Sequence, residues 1–164
     1  MKKYFLTIFL FLVLTSKVFA QGLGDYFDFF SQMIGKWEST YDAGHGETSI
    51  EQWNVQWAIK KHFLQIDITG QFKTEKKVTW ENKMFFSIDP NIQLIGWGFY
   101  DDIMNCYINY TGQLDNDILQ IKGKGKDSND YDFTLEFKDG KLIRKWKSME
   151  DGVAKSYEAI YEKK

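Results

Sequence analysis

The stretch FFSQMIGKWESTY, Phe29–Tyr41, joins the end of an aromatic helix to the first strand of a sheet through one glycine. Upstream of it, Leu23, Tyr26, Phe27, Phe30, Met33 and Ile34 recur three and four apart. That spacing places them on one helical face with a wide apolar stripe. Asp25 suits the N-cap, and Asp28 the positive end of the helix dipole. Gly35 is a natural stop, because the residue after a helix usually needs positive φ. So short a helix is not stable alone, and its stripe must pack on something. The polar face is acidic or neutral rather than basic, which argues against a membrane surface and for a plug at one end of a sheet structure.

Beyond Trp37 short strands follow one another between turn signals. The expected strands are Gly35–Tyr41, Glu47–Val55, His62–Gly70, Leu94–Tyr100, Met104–Tyr110, Asp117–Gly125, Tyr131–Phe137, Leu142–Met149 and Val153–Tyr161. Lys76–Asp89 reads as one long bent strand, or as two broken near Glu81-Asn82-Lys83. Between Glu47–Val55 and His62 the chain connects near Gln56–Lys60; Asp89-Pro90-Asn91, Asp139-Gly140 and Glu150-Asp151-Gly152 mark turns. Ile95, Trp97 and Phe99 oppose Gly96 and Gly98, glycines that permit tight curvature or close approach. No helical period returns after Gly35. The expected fold is all-β: a closed antiparallel up-and-down barrel of nine or ten strands capped by the N-terminal helix. Closure removes the sheet's edges, and a barrel of that size can hold one small ligand. An open two-sheet sandwich is the alternative.

Met1–Ala20 has the pattern of a secretory signal peptide. Lys2 and Lys3 precede an apolar run over Tyr4–Leu14, and Val18-Phe19-Ala20 fits a cleavage site. The run is short for a bilayer span, and no cysteine at the cleavage point suggests a lipid anchor. The expected mature chain, 21–164, is one barrel domain, secreted or periplasmic and not stably inserted in a membrane. Losing Lys2, Lys3 and Lys17 takes the formal charge from −2 to −5, which disfavours nucleic acid as a partner. Cys106 is the only cysteine, so no intrachain disulfide forms. It shares a face with Met104, Ile108 and Tyr110 and reads as a buried, inert thiol rather than a reactive one.

Ile34-Gly35-Lys36-Trp37-Glu38, Glu51-x-Trp53, Phe63-Leu64 before Gly70, Phe85 through Asp89, and Tyr157-Glu158-Ala159-Ile160-Tyr161 follow one another in a familiar order. The Gly-x-Trp after a short helix resembles the opening of the calycin barrels: lipocalins, fatty-acid-binding proteins and nitrobindin-like proteins. The whole order resembles bacterial secreted lipocalin-like proteins of unassigned function. The later lipocalin segments and disulfide are missing. Nitrobindin-like barrels hold haem through a late histidine, and none occurs here after His62. The resemblance therefore implies no cofactor.

His45 and His62 show no zinc or haem spacing, and no serine lies in a nucleophile motif, so no catalytic or metal residues are assigned. Gly123-Lys124-Gly125-Lys126 lacks the setting of a phosphate cradle. Arg144 stands out as the one arginine among 21 basic residues, on a face with Leu142, Trp146 and Ser148. That placement suits a shielded guanidinium. The resemblance implies a stack of Trp37 on Arg144, a structural lock. The functional reading makes Arg144 a carboxylate anchor at a cavity floor, as in fatty-acid-binding proteins. Glu158 either faces inward, to pair with Arg144 or act as an acid, or outward to solvent. With Trp97, Tyr110, Phe133 and Trp146 as aromatic lining, these are the candidate ligand residues.

Three functions follow. The first is an exported carrier of a small apolar, amphipathic or carboxylate ligand. The second is an interaction domain with a filled barrel, presenting Trp53, Trp57 and Trp80 to a partner. The third is an enzyme using Arg144, Glu158 and Asp67 within a cavity, although no histidine joins them.

Overall fold

The computed structural model describes residues 23–44, 47–73, 78–89, 93–100, 106–125, 130–150 and 152–164. The readings of Met1–Ala20, His45, Met104 and the Cys106 side chain fall outside the described residues. A helix, α1, covers residues 23–33. Ten strands follow: β1 Gly35–Gly44, β2 Glu47–Ala58, β3 Phe63–Phe72, β4 Thr79–Ile88, β5 Leu94–Tyr100, β6 Cys106–Asp115, β7 Ile118–Gly125, β8 Phe133–Lys138, β9 Lys141–Glu150 and β10 Val153–Lys163. Each pairs antiparallel with its neighbours in sequence, and β1 meets β10 through Trp37↔Lys163 and Glu38↔Glu162 to close the barrel. The expected up-and-down barrel with its helical cap is the fold observed.

Period-two alternation explains the wall. β7 alternates between exposed and buried at every residue, with Leu119, Ile121, Gly123 and Gly125 inside. The turns nearest α1 are tight. Asn116-Asp117 and Asp139-Gly140 have positive φ at both central residues, the backbone that matches strand twist. The β2–β3 connection differs from expectation. Trp57 and Ala58 still pair with Leu64 and Phe63, so the turn falls at 59–62, where Ile59, Lys60 and Lys61 all take positive φ. β4 likewise shows no break at 81–83. Asn82 is a polar residue at an inward position, 5% exposed, while the ladder runs through it unbroken to Ile68 and Tyr100.

The plug is built from Tyr26, Phe29, Phe30 and Met33, all buried. This face is rotated from the expected stripe: Leu23 and Phe27 are 47% and 45% exposed, and Phe29 takes their place inside. Asp25 lies within the helix rather than capping it. Phe27 instead stacks on Trp57 at the rim, with centroids 5.1 Å apart. Phe29 meets Phe137 edge-on, and the Tyr26 hydroxyl accepts a hydrogen bond from Leu114 N at 2.8 Å. Trp37 Nε1 donates to the Met33 carbonyl at 2.7 Å, satisfying one of the acceptors a helix end leaves open. Gly35, at φ 131, makes the turn that lets Trp37 reach back. These contacts give the glycine and tryptophan of the junction their physical purpose.

Candidate functional site

The centre of the barrel holds a buried ion pair. Glu51 on β2 is fully enclosed, and the Arg144 side chain on β9 is 15% exposed. Arg144 Nη2 donates to Glu51 Oε2 at 3.0 Å and to the Tyr41 hydroxyl at 3.2 Å. The same Oε2 accepts from Tyr41 at 2.6 Å. Oε1 accepts from Trp53 Nε1 and, at 2.6 Å, from the Tyr161 hydroxyl. Four donors on one carboxylate are what make a buried charge tolerable. They also tie both Glu51 oxygens into the interior of the barrel. Aromatic rings box the guanidinium, whose carbon lies 4.6 Å from the Trp146 centroid and 5.5, 5.6 and 5.8 Å from Tyr41, Trp53 and Tyr161.

Burial raises the Tyr41 phenol far above its ordinary value, and the Glu51 charge adds to the effect. Burial likewise holds the Tyr161 proton in place, while the nearby Arg144 charge opposes it. The folded barrel thus keeps two protons that an unfolded chain releases near the ordinary phenol value of about 10. Their contribution is complete below that pH and is lost as pH rises past it toward the folded values. Thermal melts should therefore fall steeply above pH about 10, and phenolate absorbance from these two rings should emerge with unfolding. A melting temperature flat across that range would contradict the assignment.

A second feature lies at the end of the barrel away from α1. β8 is short, and its ladder to β7 runs only from Ile118↔Glu136 to Ile121↔Phe133. Beyond it, Tyr131 N bonds to the Gly123 carbonyl, and Lys124 meets Asp130 in an isolated bridge. β9 runs on past Trp146 with no β8 partner. This thinning of the wall opens a pocket of about 660 Å³, with Ile121, Phe133, Trp146 and Tyr157 among its lining. Trp146 and Tyr157 are cross-strand partners stacked 5.5 Å apart at 21°. Part of the charged lining is paired already: Lys145 lies 2.6 Å from Glu136 and 3.8 Å from Glu158, and Asp130 lies 2.7 Å from Lys124.

The structure gathers the candidates only in part. Trp146, Phe133 and Glu158 line the pocket. Arg144 is not among the lining; it lies two residues earlier on β9, with its guanidinium over the Trp146 ring. Tyr110 is buried behind Phe133 at 6.0 Å, between Gly98 and Gly123, where a Cβ would come within 2.9 and 2.7 Å of its ring. Trp97 faces the other way. Gly96 and Gly98 point inward, and Trp97 sits on the outer wall between Phe63 and Phe85. Glu158 faces outward, since Tyr157, Ala159 and Tyr161 hold the inward positions of β10. The implied stack of Trp37 on Arg144 is replaced: the cation over Trp37 is Lys163, at 5.2 Å. Trp37 sits at the plugged end, two inward positions before Tyr41, and Tyr41 is the residue of β1 that meets the guanidinium. Asp67 pairs with Lys83 at 3.0 Å on the outer face.

Sequence reasoning missed Glu51 as the partner of Arg144, and Tyr41, Trp53 and Tyr161 around it. The signal was present: Glu51 shares the parity of Trp53, Val55 and Trp57, an acid in the middle of a strand beside three apolar positions. Among the described residues, no group of three His, Cys, Asp or Glu is placed to hold a metal ion.

No family model matches the chain, and no curated protein does. Solved structures that are similar include designed barrels. One is a de novo designed fluorescence-activating β-barrel at 13% identity, with TM-score 0.42, over 80% of this chain and 93% of that one. Another is the redesigned barrel mFAP1 bound to DFHBI, at 12% identity and TM-score 0.43, over 82% and 97%. A third is the redesigned barrel mFAP0 bound to DFHBI, at 13% and 0.44, over 80% and 99%. Likeness at this level bears on neither ancestry nor ligand.

Proposed function

We propose that this chain is a small-molecule binding protein that holds a flat, amphipathic ligand in the pocket beside β8. The observation behind the reading is the pocket lining. Ile121, Phe133, Trp146 and Tyr157 supply its apolar surface, and charged and polar side chains make up the rest of the lining. A concave site that joins apolar surface to polar groups suits an amphipathic ligand. Trp146 is held in place by Arg144 over its ring, by Tyr41 in a T-shaped contact and by the stacked Tyr157, which supports a fixed aromatic wall. A carboxylate anchored on Arg144 is not needed, since Glu51 already pairs with that guanidinium. Export of a lipocalin-like carrier fits the Met1–Ala20 pattern and the sequence motifs, and belongs to the same proposal.

Titration with anilinonaphthalene sulfonate tests it. The probe should bind saturably, and Trp146→Ala should weaken binding by about 30-fold, the scale of losing one buried aromatic anchor. A variant that melts normally and binds as tightly as the wild type would overturn the reading.

A second reading has its own observation. Ile95, Phe99 and Tyr107 are 40%, 51% and 41% exposed on the outer wall near Trp97. That is where an interaction surface would lie. Trp53, Trp57 and Trp80, the expected surface aromatics, are instead buried or packed against the core.

A further inference from the structure

The β1–β4 side of the interior carries buried polar atoms that the ion-pair cluster does not use. Ser39 Oγ, Trp80 Nε1 and Asn82 Oδ1 are shielded from solvent and have no hydrogen-bond partner among the described residues. Ser39 and Asn82 are 3% and 5% exposed. The ladder places the three on one inner face. Ser39 pairs with Glu51, Glu51 with Gly70, and Gly70 with Trp80, so these residues share one lateral row of the inner face. Gly70 has no side chain, and the Trp80 indole lies across it: a Cβ there would sit 2.5 Å from Nε1. The indole N–H is thereby carried over β3 toward Glu51 and Ser39. Asn82 lies two residues farther along β4, on the same face.

Leaving such an atom unbonded costs about 1–3 kcal/mol, and buried polar atoms in folded proteins are overwhelmingly paired. Their chemistry selects the occupant. Trp80 only donates, the Asn82 oxygen only accepts, and Ser39 does both. A group that both donates and accepts, a hydroxyl, can bond to any of them. A charged occupant is disfavoured, because Glu51 and Arg144 already neutralise each other and a further buried charge would be uncompensated. We infer that the inner face of β1–β4 is a binding site for neutral hydroxyl groups, supplied by water or by the alcohol end of a ligand. The site is separate from the pocket beside β8 and does not depend on its function.

The test reads the Trp80 indole proton by NMR of the wild-type chain, assigned by its loss in Trp80→Phe. A through-space contact to long-lived water, with no saturable response to glycerol, supports the site with water as its occupant. A saturable shift with glycerol but none with acetate supports it with an alcohol. Ser39→Ala should lower the melting temperature, because a bonded hydroxyl is lost. Absence of both NMR responses, a saturable shift with acetate, or a higher melting temperature for Ser39→Ala would each overturn the inference. The NMR measurement does not require the serine variant to fold.

Discussion

Glu51→Gln is expected to destabilise the barrel by about 3–5 kcal/mol, the cost of stranding one member of a buried ion pair. The substitution keeps volume but leaves Arg144 with no countercharge and puts an amide N–H₂ among the donors that face Glu51. Domain stabilities are typically about 5–15 kcal/mol, so the loss is a large share of the total. Arg144→Met should cost a similar amount, because it strands the carboxylate instead. Glu51→Gln combined with Arg144→Met should cost much less than the two single changes together, since neither charge remains unpaired. Denaturant unfolding of the four proteins measures this coupling. Additive losses, or a Glu51→Gln cost below about 1 kcal/mol, would show that the pair is solvated and not the centre of the core.

Phe30→Ala should cost about 3–5 kcal/mol through the cavity it leaves under the helical plug. Phe30 is 2% exposed, against Tyr26 and Trp57. Phe27→Ala is the internal control. Phe27 is 45% exposed and keeps mainly its stack on Trp57, so about 0.5–1.5 kcal/mol is expected. Equal losses from the two, or a Phe30→Ala loss under about 0.5 kcal/mol, would mean that α1 does not plug the barrel with this face.

The barrel was legible in the sequence because alternation carries it: His62–Gly70 and Leu94–Tyr100 lie within two residues of the observed strands. Errors came where an inward position holds a polar residue or a glycine. Asn82 mimicked a break in β4, and Gly96 and Gly98 lent the inside of β5 to Trp97. In β5 the aromatic face points outward because glycines are needed inside, Gly98 to admit Tyr110 and Gly96 to admit Phe86. Arg144 could be singled out by its solitude. Its partner could not, because Glu51 lies 93 residues earlier and meets it only across the closed barrel. The pocket was not legible either. It arises from the shortness of β8, a property of ladder length that residue alternation does not encode.

The most direct test of the ligand site is fluorine NMR of the protein carrying fluorotryptophan at its 6 tryptophans, titrated with anilinonaphthalene sulfonate. Each resonance is assigned by a single Trp→Phe change. The Trp146 signal should shift saturably, while Trp97 on the outer wall and Trp37 beneath the plug stay fixed. Movement of Trp97 with Trp146 unchanged would contradict the account, placing ligand on the outer surface and not in the pocket beside β8.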